Sequence, residues 1–231
     1  MRLQPRDIAI LEEIALHGVM SRDQVIALGF FTSIPRANAR LCPLTAIGLI
    51  KRIESSNEFL GQQSLYYVSS KATSLLEERV ASLIAGRKQT PQFVDHSLMV
   101  VDVRIEVERL EASSWSHECQ VRHRYQYNGL RYEFRPDGLA HVQDNCLFIE
   151  ADRGNASKKA IAETFASYDR YATSGQFQKI YNKAGFRVLV VITGKRRAHS
   201  LRTLAEKYRV AISVTTLDTL KDAKSLHEVL R

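Results

Sequence analysis

Residues 135–152 read Arg135-Pro136-Asp137-Gly138-Leu139-Ala140-His141-Val142-Gln143-Asp144-Asn145-Cys146-Leu147-Phe148-Ile149-Glu150-Ala151-Asp152, and this stretch decides the fold of the second half of the chain. One β-like run closes at Val142, Gln143-Asp144 makes a short polar connection, and a second run begins at Asn145. The pattern predicts adjacent antiparallel strands over Leu130–Val142 and Asn145–Ala151. Pairing them brings Asp137 and Glu150 to one sheet edge. Glu150 and Asp152, two residues apart, project to the same face. Carboxylates converging at a strand end suit a hard cation, Mg²⁺ or Mn²⁺. Such an ion can activate water and neutralise charge on a phosphodiester. Taken alone, Asp137-Gly138 has the composition of a turn, and nearby Arg131, Arg135 and Arg153 could neutralise the acids instead.

Upstream, Asn128-Gly129 is a strong hairpin signal. It joins Cys119–Tyr127 to Leu130–Val142, so the three strands are expected to form a meander. A long helix from Pro91 to about Glu111 precedes them. Downstream come a helix from Ser157 to about Ala172, a buried-type strand Arg187–Ile192, a helix from about Ala198 to Tyr208, and a strand Val210–Val214. The order is α-β-β-β-α-β-α-β, a mixed α/β class.

The first part of the chain has a different rhythm. Ala85-Gly86-Arg87-Lys88-Gln89-Thr90-Pro91 can end one helix and begin another, which divides the chain into residues 1–86 and 91–231. Arg6–His17 places Ile8, Leu11, Ile14 and Ala15 on one face, with Gly18 closing the helix. Ser21 caps a second helix. A third begins after Thr32 or Ser33 and ends at Gly48, with a bend or break expected at Pro43. Two β-like runs, Leu49–Ile53 and Ser64–Val68, flank the polar stretch Glu54–Gln63. A fourth helix is expected from Ser69 or Ser70 to about Ala85. This order resembles a winged helix-turn-helix. The resemblance implies that Arg36, Asn38 and Arg40 meet base edges or phosphates of double-stranded DNA, and that Lys51 and Arg52 at the wing base meet phosphate. A plain solvated face, or a protein-interaction module, would use the same residue types.

Composition agrees with a globular nucleic-acid partner and excludes several classes. The 231 residues hold 33 Lys+Arg against 25 Asp+Glu, a net +8, with 45% hydrophobic residues, 11 Gly and 5 Pro. A disordered chain, a collagen and a coiled coil are excluded. No apolar run approaches the ~20 residues of a membrane span, and Arg2, Arg6 and Asp7 stand where a signal peptide would be apolar. Cys42, Cys119 and Cys146 are too widely spaced for a disulfide framework or a zinc site, so a cytoplasmic protein without membrane attachment is expected. Neither a P-loop nor HExxH, GxSxG or paired CxxC is present.

Pro136-Asp137 followed by Glu150-Ala151-Asp152, within the α-β-β-β-α-β order, resembles the restriction-endonuclease-like, or PD-(D/E)xK, superfamily. The resemblance implies that Asp137 and Glu150 hold the metal, with Asp152 completing the set as a catalytic and metal-binding acid. The superfamily's lysine is replaced here by Asp152; Lys158, Lys159 or Arg153 would then supply the cation, with Lys158 the first choice. Over nearly the whole chain, the winged-helix order, a long helix bearing His96, Arg135-Pro136-Asp137-Gly138, Glu150-Ala151-Asp152-Arg153-Gly154 and Ser167-Tyr168-Asp169-Arg170-Tyr171 resemble the replication-relaxation family of plasmids and mobile elements. That resemblance implies DNA and replication or transposition proteins as partners, and the winged helix, a module that often reads two half-sites, is compatible with a homodimer. Two functions remain open: a Mg- or Mn-dependent DNA endonuclease that nicks, or a non-catalytic DNA-binding regulator or replication accessory protein on a degenerate nuclease fold.

Overall fold

The computed structural model describes residues 2–53, 64–110, 112–142 and 145–230; Glu54–Gln63 and the Gln143-Asp144 connection lie outside the described residues. The chain is mixed α/β and divides into two compact units, Met1–Val101 and Asp102–Arg231.

In the first unit, Pro5 opens helix α1 (Pro5–His17), where a missing N–H costs nothing, and Gly18 closes it at a φ of +94°. Strand β1 (Met20–Ser21) leads into α2 (Arg22–Ala27). Ser21 caps that helix reciprocally: Gln24 N–H donates to Ser21 Oγ at 3.1 Å, and Ser21 N–H donates to Gln24 Oε1 at 3.0 Å. The bend expected at Pro43 does not occur, because α3 runs unbroken over Ile34–Ala46. Pro43 lies in the last turn, where it forfeits a single backbone bond, and the Thr45 hydroxyl donates to Leu41 O at 2.8 Å. Strands β2 (Ile50–Ile53) and β3 (Leu65–Val68) complete an antiparallel sheet in the order β1-β3-β2. The expected fourth helix is two pieces, a 3-10 helix Ser70–Leu75 and α4 (Glu78–Ile84), separated by extended Leu76. Helix α5 (Pro91–Arg109) follows. The division between the units falls inside α5 and not at 86–91, because Val94 and Leu98 are buried with Val19 and Leu65 in the first unit.

In the second unit, β4 (Ser114–His117), α6 (Glu118–Val121), β5 (His123–Tyr127), β6 (Leu130–Phe134), β7 (Gly138–Val142) and β8 (Asn145–Asp152) follow α5. Then come α7 (Lys158–Thr173), α8 (Gln176–Tyr181), β9 (Phe186–Ile192), α9 (Lys195–Ala205), β10 (Ala211–Thr216), α10 (Leu217–Asp222) and α11 (Leu226–Val229). One five-stranded sheet has the order β10-β9-β8-β7-β4, with β8, β9 and β10 parallel and β4, β7 and β8 antiparallel. The expected three-strand meander is therefore corrected. The hairpin β5–β6 forms a sheet of its own, and β4 takes the place beside β7. Two causes are visible. Arg135-Pro136-Asp137 interrupts the run expected over Leu130–Val142, and Pro136 has no N–H to give a ladder. Gly138 also lets β4 approach, since a Cβ there would lie 2.3 Å from Trp115 Cζ2. The hairpin turns at Asn128-Gly129, both at positive φ. Its inner aromatics close over α7, with the Phe134 and Tyr171 rings stacked at 3.9 Å between centroids.

Candidate functional site

Strand pairing places Asp137 beside Glu150. Gly138, the first residue of β7, lies opposite Ile149 of β8. Asp137 N–H donates to Ile149 O at 3.1 Å, and Ala151 N–H donates to the Asp137 carboxylate at 2.7 Å. Asp137 therefore bonds both residues that flank Glu150, and the two acids are locked together by backbone geometry. The Glu150 carboxyl accepts from the Tyr168 hydroxyl at 2.6 Å. It lines a cleft of about 270 Å³ between the β6–β7 connection, Phe134 to Pro136, and the α7 residues Ala160, Glu163, Thr164, Ser167 and Tyr168.

Electrostatics make Glu150 the strained member of the pair. Burial, and then the negative charges of Asp137, Glu118 and Asp152, push its carboxyl well above the usual carboxylate range; the Tyr168 hydrogen bond pulls the other way without prevailing. Burial, and then Glu150 and Asp137, push the Tyr168 hydroxyl up as well, so it remains a donor. Two neighbouring hard oxygen donors, one of them lining a cleft, have the chemistry to hold a divalent cation.

Asp152 does not share this arrangement. Arg197 donates to its Oδ2 from Nε at 2.9 Å and from Nη2 at 2.6 Å, and Gly154 N–H donates to its Oδ1 at 3.0 Å. Its oxygens thus hold the turn that follows β8. The three acids do not gather within 4.8 Å of one another. Lys158 is exposed in the first turn of α7 and has no ion pair among the described residues. Arg135 pairs with Glu118, one of the charges that burden Glu150, and not with Asp137 or Glu150.

The basic residues of the first unit separate in the same manner. Arg40 forms a two-bond pair with Asp7, whose side chain has no exposure, and its Nη2 donates to Arg2 O at 3.1 Å. It joins α3 to α1 and is not an exposed contact residue. Arg36 is exposed and donates to Thr32 Oγ1 at 3.0 Å. Asn38 is half-buried on α3, and Lys51 and Arg52 are exposed on β2.

Tyr168, Glu163 and Arg197 belong to the second unit's site and were not among the expected site residues. Tyr168 had a legible signal: a tyrosine on the apolar stripe of a helix needs a partner for its hydroxyl. Arg197 was visible only as part of the basic run Lys195-Arg196-Arg197.

The family model described as Replication-relaxation matches residues 11–188. No curated protein matches the chain. Among solved structures, the crystal structure of protein VC1899 from Vibrio cholerae is similar at a TM-score of 0.41 and 14% identity. That likeness covers 99% of this chain and 57% of the other, so this chain spans little more than half its length.

Proposed function

The chain belongs to the replication-relaxation family, and from that premise we propose that it is a DNA-processing protein of plasmids or mobile elements that nicks duplex DNA. The observation that carries the proposal is the bonding of Asp137 to both neighbours of Glu150, which sets Asp137 beside a carboxyl that lines a cleft. Asp137 and Glu150 would hold Mg²⁺ or Mn²⁺, which when bound would activate water and neutralise phosphodiester charge. Tyr168 keeps Glu150 aimed into the cleft. Asp152 is left out of the metal set on this reading, since Arg197 and the turn occupy it. Lys158, exposed at the start of α7, would be the cation that approaches a bound phosphate.

The helix, helix, helix, two-strand order of the first unit supports a winged helix-turn-helix as the DNA anchor. Arg36, Lys51 and Arg52 would contact the backbone, and Asn38 would stand beside them on α3. Arg40 would act indirectly, by fixing α3 to α1. Replication or transposition proteins and a second copy of the chain are the partners such a protein would meet. Among the described residues no helix is long and apolar enough to cross a membrane.

One observation favours a second reading. An acid, Asp152, stands where the superfamily has its lysine, and it is tied to Arg197. A DNA-binding replication accessory protein without cleavage would follow. Purified protein with Mn²⁺ or Mg²⁺ and supercoiled plasmid decides between them. Nicking that is abolished by Asp137→Ala or Glu150→Ala, with duplex binding intact, is the expected result. Binding without metal-dependent nicking would establish the accessory role, and nicking unchanged in both variants would remove the site assignment.

A further inference from the structure

We infer that residues 152–159 and 193–197 form a single cationic clamp that binds the phosphodiester backbone of duplex DNA beside the acid pair. The choice of DNA as partner rests on the functional reading above; the surface itself comes from the structure. The two segments follow neighbouring parallel strands, with Asp152 opposite Ile192 in the register of β8 and β9. They are bonded together repeatedly. Arg197 donates to the Asp152 carboxylate and to Ala156 O, the Thr193 hydroxyl donates to Arg153 O at 2.8 Å, and Thr193 N–H donates to Asp152 O at 3.3 Å. Asp152, the acid that stands where the superfamily has a lysine, is thereby the latch between them.

The latch leaves a large imbalance. The two segments hold six cations, Arg153, Lys158, Lys159, Lys195, Arg196 and Arg197, against the single acid Asp152. Their net +5 equals the whole net charge of residues 91–231, so the remainder of that half is balanced. Lys158, Lys159, Lys195 and Arg196 are exposed, and none has an acidic partner among the described residues. Holding like charges this close opposes the fold unless a polyanion relieves them. The cations lie spread along two surface segments, an arrangement that suits a repeating backbone better than one isolated phosphate. Their place fits this use. Glu150 stands two residues before Asp152, and the helix turns after Lys158 and Lys159 line the Glu150 cleft. A strand seated on the clamp is delivered to the acid pair.

Anisotropy of a fluorescein-labelled duplex of roughly 30 base pairs and mixed sequence tests this, with the full chain in EDTA and a salt series from about 50 to 250 mM. For Lys195→Glu with Arg196→Glu, the expected results are a melting temperature no lower than that of wild type, at least about tenfold weaker binding near 100 mM salt, and a log–log salt slope shallower by about two. Lys195→Gln with Arg196→Gln should show the same slope change with a smaller loss of affinity. Affinity and slope equal to wild type in both variants would overturn the clamp. If wild type binds the duplex, and Arg36→Ala with Lys51→Ala and Arg52→Ala weakens it while the clamp variants do not, the clamp alone fails. If wild type binds no duplex, the clamp and the functional reading fail together.

Discussion

Glu150 carries its charge against opposition from burial and from Asp137, Glu118 and Asp152, and the sign of the consequence is definite. In the unfolded chain the group titrates near the ordinary glutamate value of about 4.3. In the native state it holds its proton to higher pH. The native state is therefore favoured at low pH, and that advantage is lost as pH rises through the raised native value. Glu150→Gln keeps an acceptor for the Tyr168 hydroxyl and removes the charge. In EDTA its melting temperature should exceed that of wild type at pH 8 and converge on it near pH 4, measured by thermal unfolding across that range. A wild-type advantage at pH 8 would show that the charge is not opposed there. Sequence spacing was sufficient to bring Glu150 and Asp137 together. It was insufficient to show that Asp152, on the same face, is consumed by Arg197, forty-five positions away.

Between elements, the buried pair of Arg40 and Asp7 decides what α3 can offer. Burial opposes the Asp7 charge, but the hydrogen bonds from Arg40 and Gln4 and the charges of Arg40 and Arg6 outweigh it and hold the carboxyl below its usual range. Asp7 has no exposed surface, but the Arg40 side chain is 20% exposed, so the pair is partly solvated and worth less than a fully interior one. Arg40→Ala should cost about 2 kcal/mol, against the ~3–5 of a fully interior pair, by leaving Asp7 without its partner. Arg36→Ala should leave stability within about 0.5 kcal/mol of wild type, as expected of an exposed site. Urea unfolding of both variants checks the contrast; equal stabilities would mean that Arg40 is no structural tie. In the sequence the two arginines differ only by their place along the helix. Arg36 precedes buried Ala37, whereas Arg40 precedes Leu41 and meets α1, a contact that helical periodicity does not reveal. Strand assignment failed in a similar way. The apolar alternation of β5 and β6 was legible, but their exclusion from the main sheet depends on Pro136 and on Trp115 lying against Gly138.

Across the whole molecule, the proposed DNA contacts lie in both units, Arg36, Lys51 and Arg52 in one and the clamp in the other. If they engage one duplex through separate phosphates, their counterion contributions should add. Removing the three first-unit cations should make the salt slope shallower by about three, removing Lys195 and Arg196 by about two, and removing all five by about five. A combined loss no greater than either alone would mean that only one surface contacts the duplex.

By itself the sequence determined the class of fold, the two-part organisation, the paired acids and the family. Each of these depends on local periodicity or on short spacings within adjacent strands, where backbone geometry leaves little choice. Tertiary structure alone decided which charges are available. Asp152 and Arg40 are taken by partners distant in sequence, Tyr168 is brought under Glu150, and two ordinary basic stretches become one surface. Such pairings follow from how strands and helices are brought together, and a charge buried or close to another must find a partner or be repelled, wherever in the chain that partner lies.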